Sequence, residues 1–359
     1  MLNGHGGNIY DIAHRLGCLP SDIIDMSSNV NPLGPPPGLL EFLKNNLNVI
    51  TALPEVDSNL LVLSFANRYG IDPATVLAGN GSTQFIYSIP PALGTKRALI
   101  LGPTYADYAD ACRLHNINFE YFIGQESQAF KANIDMIKEQ VNGFDTVFIC
   151  NPNNPTGTLY TGAEIESLCR ARPSTYFVID ESYLPFVTSG DHESMIGRGL
   201  PNVIILNSMS KIFRISGLRI GFLIASKNII ESLTRYALPW SVNALAQAGV
   251  QYLMKHKAEV NAFIDQTQTL IENEKKRFAE KLKIAAGIKL FTSTTSFMLA
   301  KLVNRHRADG VCQKLIEDRI LIRNCSNFKG LSDRFIRISL KNSETNLMLV
   351  EKLLSLSLQ

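Results

Sequence analysis

The residues best placed to do chemistry form one short run, Ser208-Met209-Ser210-Lys211, followed eight residues after the lysine by Arg219 within Gly217-Leu218-Arg219-Ile220-Gly221. A lysine withdrawn from water loses part of the hydration that stabilises its charge. Its pKa falls and a neutral, nucleophilic amine becomes available. Such an amine condenses with an aldehyde to a Schiff base. Ser208, Ser210 and Arg219 offer donors for a phosphate on the same molecule, the arginine through paired N–H groups. Asp180 ends the apolar run 176–179, where a buried carboxylate needs a partner.

Other turns extend this set. Asn80-Gly81-Ser82-Thr83 precedes a helical pattern; Gly81 permits close backbone approach, and helix N–H groups with the Ser82 and Thr83 hydroxyls suit a phosphate. It is not a Walker loop, because no Lys-Ser/Thr pair follows at the required spacing. Asn154, in Asn153-Asn154-Pro155-Thr156-Gly157, has an amide to donate to a phenolate-like oxygen, and Tyr183 has a hydroxyl for the same atom. Tyr105 has a flat ring for stacking. A pyridinium N–H against Asp180 would be held protonated, which makes the ring an electron sink. Alone, each motif reads as a cap, a turn or a core residue. Together, an aldehyde-accepting lysine, phosphate donors, a pyridinium partner and a stacking ring describe a pyridoxal 5'-phosphate site, and no metal is expected.

The elements that must position these residues repeat one pattern. Short apolar runs at 75–79, 97–101, 145–150, 176–179 and 202–206 each end in a polar, Gly- or Pro-containing turn before a helical stretch. Such runs, without alternation, suit strands covered on both faces. The pattern predicts an α/β fold with a mostly parallel sheet flanked by helices, and ligands beyond the strands' carboxyl ends. From about 226 to 286 the pattern is helical, broken at Pro239; strand candidates follow at 295–302, 320–323 and 335–340. The Pro-rich stretch from Asn31 to Gly38 is too stiff for helix or central strand. The expected division is an N-terminal arm (1–44) packing with a small α+β domain (245–359), and a large cofactor-binding domain (45–240).

Composition narrows the class. Over 359 residues, 45% are hydrophobic and 19% charged, which suits a packed globular protein rather than a disordered one. Lys+Arg at 35 against Asp+Glu at 32 leaves +3, too little for a dedicated nucleic-acid or polybasic membrane binder. No apolar run is long enough to span a bilayer, and the first residues lack a signal-peptide layout. The six cysteines form no CxxC pair, so reduced packing residues of a cytoplasmic protein are expected. A transcriptional regulator on this fold is disfavoured, since only about 30 residues precede the Pro-rich stretch, too few for a DNA-binding domain. A nicotinamide enzyme is disfavoured because no GxGxxG follows a strand.

On these motifs the chain resembles the fold-type I pyridoxal phosphate enzymes of the aspartate aminotransferase superfamily over nearly its full length. The resemblance implies Lys211 as the cofactor lysine and Asp180 as the partner of the pyridine nitrogen. It implies Asn154 and Tyr183 at the ring oxygen, Tyr105 as the stacking residue, and Ser82, Thr83, Ser208, Ser210 and Arg219 as the phosphate cup. Four segments are similar to the threonine-phosphate decarboxylase family of cobalamin biosynthesis: His5-Gly6-Gly7-Asn8, 28–34, 238–245 and 322–331. Histidinol-phosphate aminotransferases come next. That likeness implies a phosphorylated amino-acid substrate held by His5, Asn29, Asn154, Arg323 and Arg337, and a homodimer. Two departures stand out: Gln84 where relatives often carry Glu, and Leu53 where many carry a Tyr that reaches the neighbouring subunit's cofactor phosphate.

Overall fold

The computed structural model describes residues 6–303 and 306–357. The first strands in chain order are β1 (Ile24–Asp25), β2 (Val76–Gly79), β3 (Arg97–Gly102), β4 (Asn118–Ile123), β5 (Thr146–Cys150), β6 (Tyr176–Asp180), β7 (Val203–Ser208) and β8 (Gly221–Ile224). Then come β9 (Ile288–Leu290), β10 (Phe297–Leu302), β11 (Ile320–Leu321), β12 (Arg323–Asn324) and β13 (Phe335–Ser339).

β2 to β8 form a seven-stranded sheet in the order β2-β8-β7-β6-β5-β3-β4. All its strands are parallel except β8. Every residue of β5 and β7 is buried, as strands covered by helices on both faces require. The reversal of β8 matters for the site. Its first residue, Gly221, pairs with both Ser208, the last of β7, and Gly79, the last of β2. The turn carrying Arg219 therefore reaches the same sheet edge as the carboxyl ends of the parallel strands. A Cβ at Gly221 would lie 2.5 Å from the Ser82 amide nitrogen, so glycine lets the first turn of helix Gly81–Ala92 dock on β8.

A second, antiparallel sheet has the order β12-β13-β10-β9, and β1 pairs separately with β11 in parallel. The stretch 320–323, expected as one strand, thus divides at the buried Ile322. Each half satisfies its backbone groups on a different partner.

Two apolar clusters follow the two sheets. The larger gathers Phe148, Phe177, Ile204 and Phe222, and the smaller Met26, Ile336, Ile338 and Leu349. Helix Lys257–Leu282 belongs to both: Val260, Phe263 and Ile271 join the first, Phe278 and Leu282 the second. Helix Ala244–Lys255 keeps Ala246, Val250 and Leu253 in the first cluster. Packing therefore divides the chain later than position 245, because helical periodicity does not reveal which sheet a helix covers. The first residues serve both bodies, with Met26 in the smaller cluster and Leu39 in the larger. Among the described residues no helix is long and apolar enough to cross a membrane.

Candidate active site

Beyond β7 the chain turns into the short helix Met209–Ile212, which carries Lys211. The N-terminal arm fastens this turn. The Asn31 amide N–H donates to the Lys211 carbonyl at 3.0 Å. The fully buried Asn31 side chain donates to the Ile212 carbonyl at 2.7 Å and to Thr267 Oγ1 at 2.8 Å. Burial pushes the Lys211 ammonium down to about 8; Arg219 and Arg337 act in the same direction and Asp180 opposes them. Its amine is therefore neutral in mildly alkaline water, as a nucleophile must be.

Asp180 ends β6 and is buried. Its Oδ1 accepts from the Ser182 hydroxyl at 2.5 Å and the Ser182 amide at 3.0 Å, and its Oδ2 accepts from the Tyr108 hydroxyl at 2.8 Å. Burial nevertheless raises its pKa, outweighing these bonds and the attraction of Lys211. A carboxylate so desolvated is best matched by a cationic N–H. The Tyr108 ring stacks on Phe148 with centroids 5.2 Å apart and meets Tyr105 edge-on at 6.0 Å.

The phosphate cup forms where helix Gly81–Ala92 meets the turn before β8. Gly81 has φ +77°, and a Cβ there would lie 2.7 Å from Arg219 Nη2. Arg219 itself has φ 55°, and its Nη1 donates to the Ser216 carbonyl at 3.2 Å. Ser210 donates to the Ile220 carbonyl at 3.2 Å. Gly81, Ser82, Thr83, Ser208, Ser210 and Arg219 line one part of an inner cavity of about 90 Å³; Tyr105, Asn154, Asp180, Tyr183 and Lys211 line another, with Tyr108, Cys150 and Ser182.

An outer cavity of about 280 Å³ shares Tyr105, Asn154, Tyr183 and Lys211 with the inner one and adds Asn29, Arg323, Arg337, Ser27, Ser28 and Asn327. Burial raises the Tyr183 hydroxyl to about 12. The Asn29 amide donates to that hydroxyl at 3.3 Å, while Asn29 Oδ1 accepts from Ser339 at 2.5 Å. Arg337, on β13, is buried, and burial lowers its pKa. Its guanidinium donates to Asn154 Oδ1 and, at 2.5 Å, to the Ser27 carbonyl, while Nε has no partner. Among the described residues its acceptors are neutral, so a buried positive charge faces the cavity without a carboxylate bonded to it. Arg323 donates to Asn327 Oδ1 at 2.7 Å and lies over the Phe328 ring.

The structure thus gathers the sequence-selected residues around two adjoining cavities. His5 falls outside the described residues; Gly6 and Gly7, which follow it, line the outer cavity. Tyr108, Ser182, Ser27 and Asn327 were not singled out by sequence. Ser182, two residues beyond the strand-ending Asp180, carried a signal in its spacing, since a hydroxyl there reaches back to the carboxylate. Tyr108, inside a helix whose first six residues are all buried, carried none.

The residues fit pyridoxal phosphate: a glycine cradle with hydroxyls and a guanidinium, a desolvated carboxylate, a stacking tyrosine and a low-pKa lysine. The family comparison agrees. Residues 21–353 match the aminotransferase class I and II family, and the chain belongs to it as a pyridoxal phosphate enzyme. It is 31% identical to the adenosylcobalamin biosynthesis bifunctional protein CobDQ of Leptospira interrogans over 98% of its own length, but spans only 40% of that relative. The crystal structure of L-threonine-O-3-phosphate decarboxylase from Porphyromonas gingivalis superposes with a TM-score of 0.84 at 30% identity, covering 94% of this chain and 100% of that one. The histidinol-phosphate aminotransferase from Clostridium acetobutylicum gives a TM-score of 0.85 at 26% identity, covering 93% and 99%.

Proposed function

We propose that this chain is a lyase that decarboxylates L-threonine O-3-phosphate to (R)-1-amino-2-propanol O-2-phosphate in cobalamin biosynthesis. One observation carries the substrate class: Arg323 and Arg337 are directly opposite each other on β12 and β13. Like charges at such a position repel, and an anionic group between them relieves the repulsion. Both line a cavity that also reaches Lys211. A phosphate together with a carboxylate matches this charge better than a neutral side chain does.

When bound, the cofactor supplies an electron sink for charge developing at the substrate's α carbon. Asp180 keeps the proton on the ring nitrogen, and Tyr108 and Ser182 keep Asp180 in place. Asn154 and Tyr183 donate toward the ring oxygen. Arg323, Arg337 and Asn29 would hold the substrate's phosphate, leaving its α-carboxylate as the group to be lost. The bond to that carboxylate then breaks and CO2 leaves. Lys211, as an ammonium with a pKa of about 8, returns a proton to the α carbon.

Were Arg337 to hold the carboxylate instead of the phosphate, the Cα–H bond would be the one to break. The same residues would then perform transamination, the reading favoured by the likeness to the histidinol-phosphate aminotransferase. Incubation with threonine phosphate, with and without 2-oxoglutarate, separates the two. CO2 released without an oxoacid supports the decarboxylase; oxoacid-dependent glutamate without CO2 refutes it. The proposed assembly is a homodimer through the exposed apolar residues Leu47, Ile50, Leu53, Leu238 and Trp240, whose two segments are joined by the Trp240 amide donating to the Val56 carbonyl at 2.9 Å.

A further inference from the structure

We infer, on the reading that Arg337 binds the substrate's anion, that Asp25 is a positioning residue for that substrate: through Ser27 it holds Arg337 and Gly7 at the wall of the outer cavity. Asp25 ends β1 and lines neither cavity itself.

Its Oδ1 accepts from the Ser27 amide at 2.8 Å, the Ser27 hydroxyl at 2.7 Å and the Ser28 amide at 3.1 Å. Burial raises the Asp25 pKa, but the bonds from Ser28 and Ser27, with the attraction of Lys341, outweigh it and hold the carboxyl below its ordinary value. The turn is therefore fastened to a charged acceptor, which makes the stronger bonds. Between them, Met26 ties the turn to the second domain: its amide donates to the Leu321 carbonyl of β11 and its carbonyl accepts from the Ser339 amide of β13, both at 2.8 Å.

Ser27, 1% exposed, joins three segments. Its hydroxyl, while donating to Asp25, accepts from the Gly7 amide at 2.7 Å, and its carbonyl accepts from Arg337 at 2.5 Å. A Cβ at Gly6 would lie 2.6 Å from the Ser27 carbonyl oxygen, and one at Gly7, with φ +84°, 2.5 Å from Ser28 Oγ. The two glycines thus lie directly on the turn, and Gly6, Gly7, Ser27 and Ser28 together line the outer cavity.

A local turn needs only the amide bonds to the carboxylate. Here the hydroxyl and the carbonyl of one residue also engage chain 20 and 310 positions away. Arg337 is anchored on Ser27 and Asn154, both neutral acceptors, and Asp25 acts on its charge from behind them. A carboxylate bonded to the guanidinium would compete with the substrate's anion; one set behind Ser27 fixes the guanidinium without competing.

The test is steady-state kinetics of the cofactor-loaded enzyme with threonine phosphate, beside calorimetric titration with inorganic phosphate, for the wild type and the Asp25→Ala, Asp25→Asn and Ser27→Ala variants. Asp25→Ala removes bonds to a charged acceptor, so KM and the phosphate Kd should each rise about tenfold or more, with kcat changing far less and the cofactor absorbance retained. Asp25→Asn keeps an oxygen for the Ser27 and Ser28 amides, so it should recover most of that affinity. Ser27→Ala loses the seat of Gly7 but keeps the carbonyl that holds Arg337, so its rise should be smaller, about two- to tenfold; should Asp25→Ala not fold, this variant decides. Phosphate reports on the arginines whichever reaction runs, so missing CO2 release would refute the decarboxylation and leave this test standing. Four results overturn the inference: no saturable phosphate binding by the wild type, unchanged affinity in folded Asp25→Ala or in Ser27→Ala, an Asp25→Asn enzyme as weak as Asp25→Ala, or loss of the cofactor absorbance together with the affinity.

Discussion

Replacing Tyr108 by Phe removes one oxygen atom and little else. The ring keeps its stack on Phe148 at 5.2 Å and its edge contact with Tyr105 at 6.0 Å. What disappears is the 2.8 Å hydrogen bond to Asp180 Oδ2, leaving Ser182 to hold the other oxygen. A hydrogen bond to a charged group contributes about 1.5–3 kcal/mol. At 1.36 kcal/mol per tenfold, the largest loss in turnover is about ten- to 150-fold. The bond lowers a carboxylate pKa that burial raises, so its removal raises that pKa further. Asp180 then binds its proton at higher pH, and the acid limb of the activity profile moves to higher pH. The assay is kcat and kcat/KM against pH in the Tyr108→Phe enzyme, with cofactor absorbance followed over the same range. Because the substrate contacts are untouched, kcat is expected to fall while KM changes little. Unchanged kcat and an unshifted acid limb would refute the role given to Tyr108.

Two further outcomes follow from the lysine and the phosphate cup. Capture of pyridoxal phosphate by the cofactor-free protein, trapped with borohydride, should rise with pH and level off above about 8, where Lys211 becomes neutral. A midpoint near the ordinary 10.5, or an adduct surviving Lys211→Ala, would contradict the assignment. In the same window the folded protein binds fewer protons than the unfolded chain, so this lysine's contribution to stability grows from about pH 8 to 10.5. Gly81→Ala places a Cβ 2.7 Å from Arg219 Nη2 at φ +77°. The left-handed backbone costs about 1–2 kcal/mol of fold stability, while the displaced Arg219 guanidinium weakens the phosphate cup, so cofactor affinity should fall with the circular dichroism spectrum unchanged; equal affinity would show that the cup does not hold the phosphate.

What the sequence revealed depended on how local the cause was. An apolar strand ending in a charged residue, as at Asp180, is legible because desolvation of that charge is a property of the strand itself. The parallel sheet is legible for the same reason, since runs such as 203–206 have no polar face to turn toward water. The register that sets Arg323 opposite Arg337 depends on strand pairing, which no neighbouring residue records. The break at Ile322 and the attachment of helix Ala244–Lys255 to the larger cluster are likewise settled by distant partners. Tyr108 was hidden because a tyrosine in a buried helix is accounted for by packing alone, and its polar tip becomes informative only once Asp180 is beside it.

The arm that runs from β1 to Leu39 imposes an order on folding. Its contacts reach across most of the polypeptide: Asn31 to Ile212 spans 181 positions, and Ser27 to Arg337 spans 310. Closing loops of that size is slow. During synthesis the earliest residues to emerge wait for the last sheet to be made before they can settle. The nucleophile's turn is clamped from behind only once Ile212 and Thr267 are present to receive Asn31, so a chain shorter than that carries a reactive lysine not yet locked in its working position.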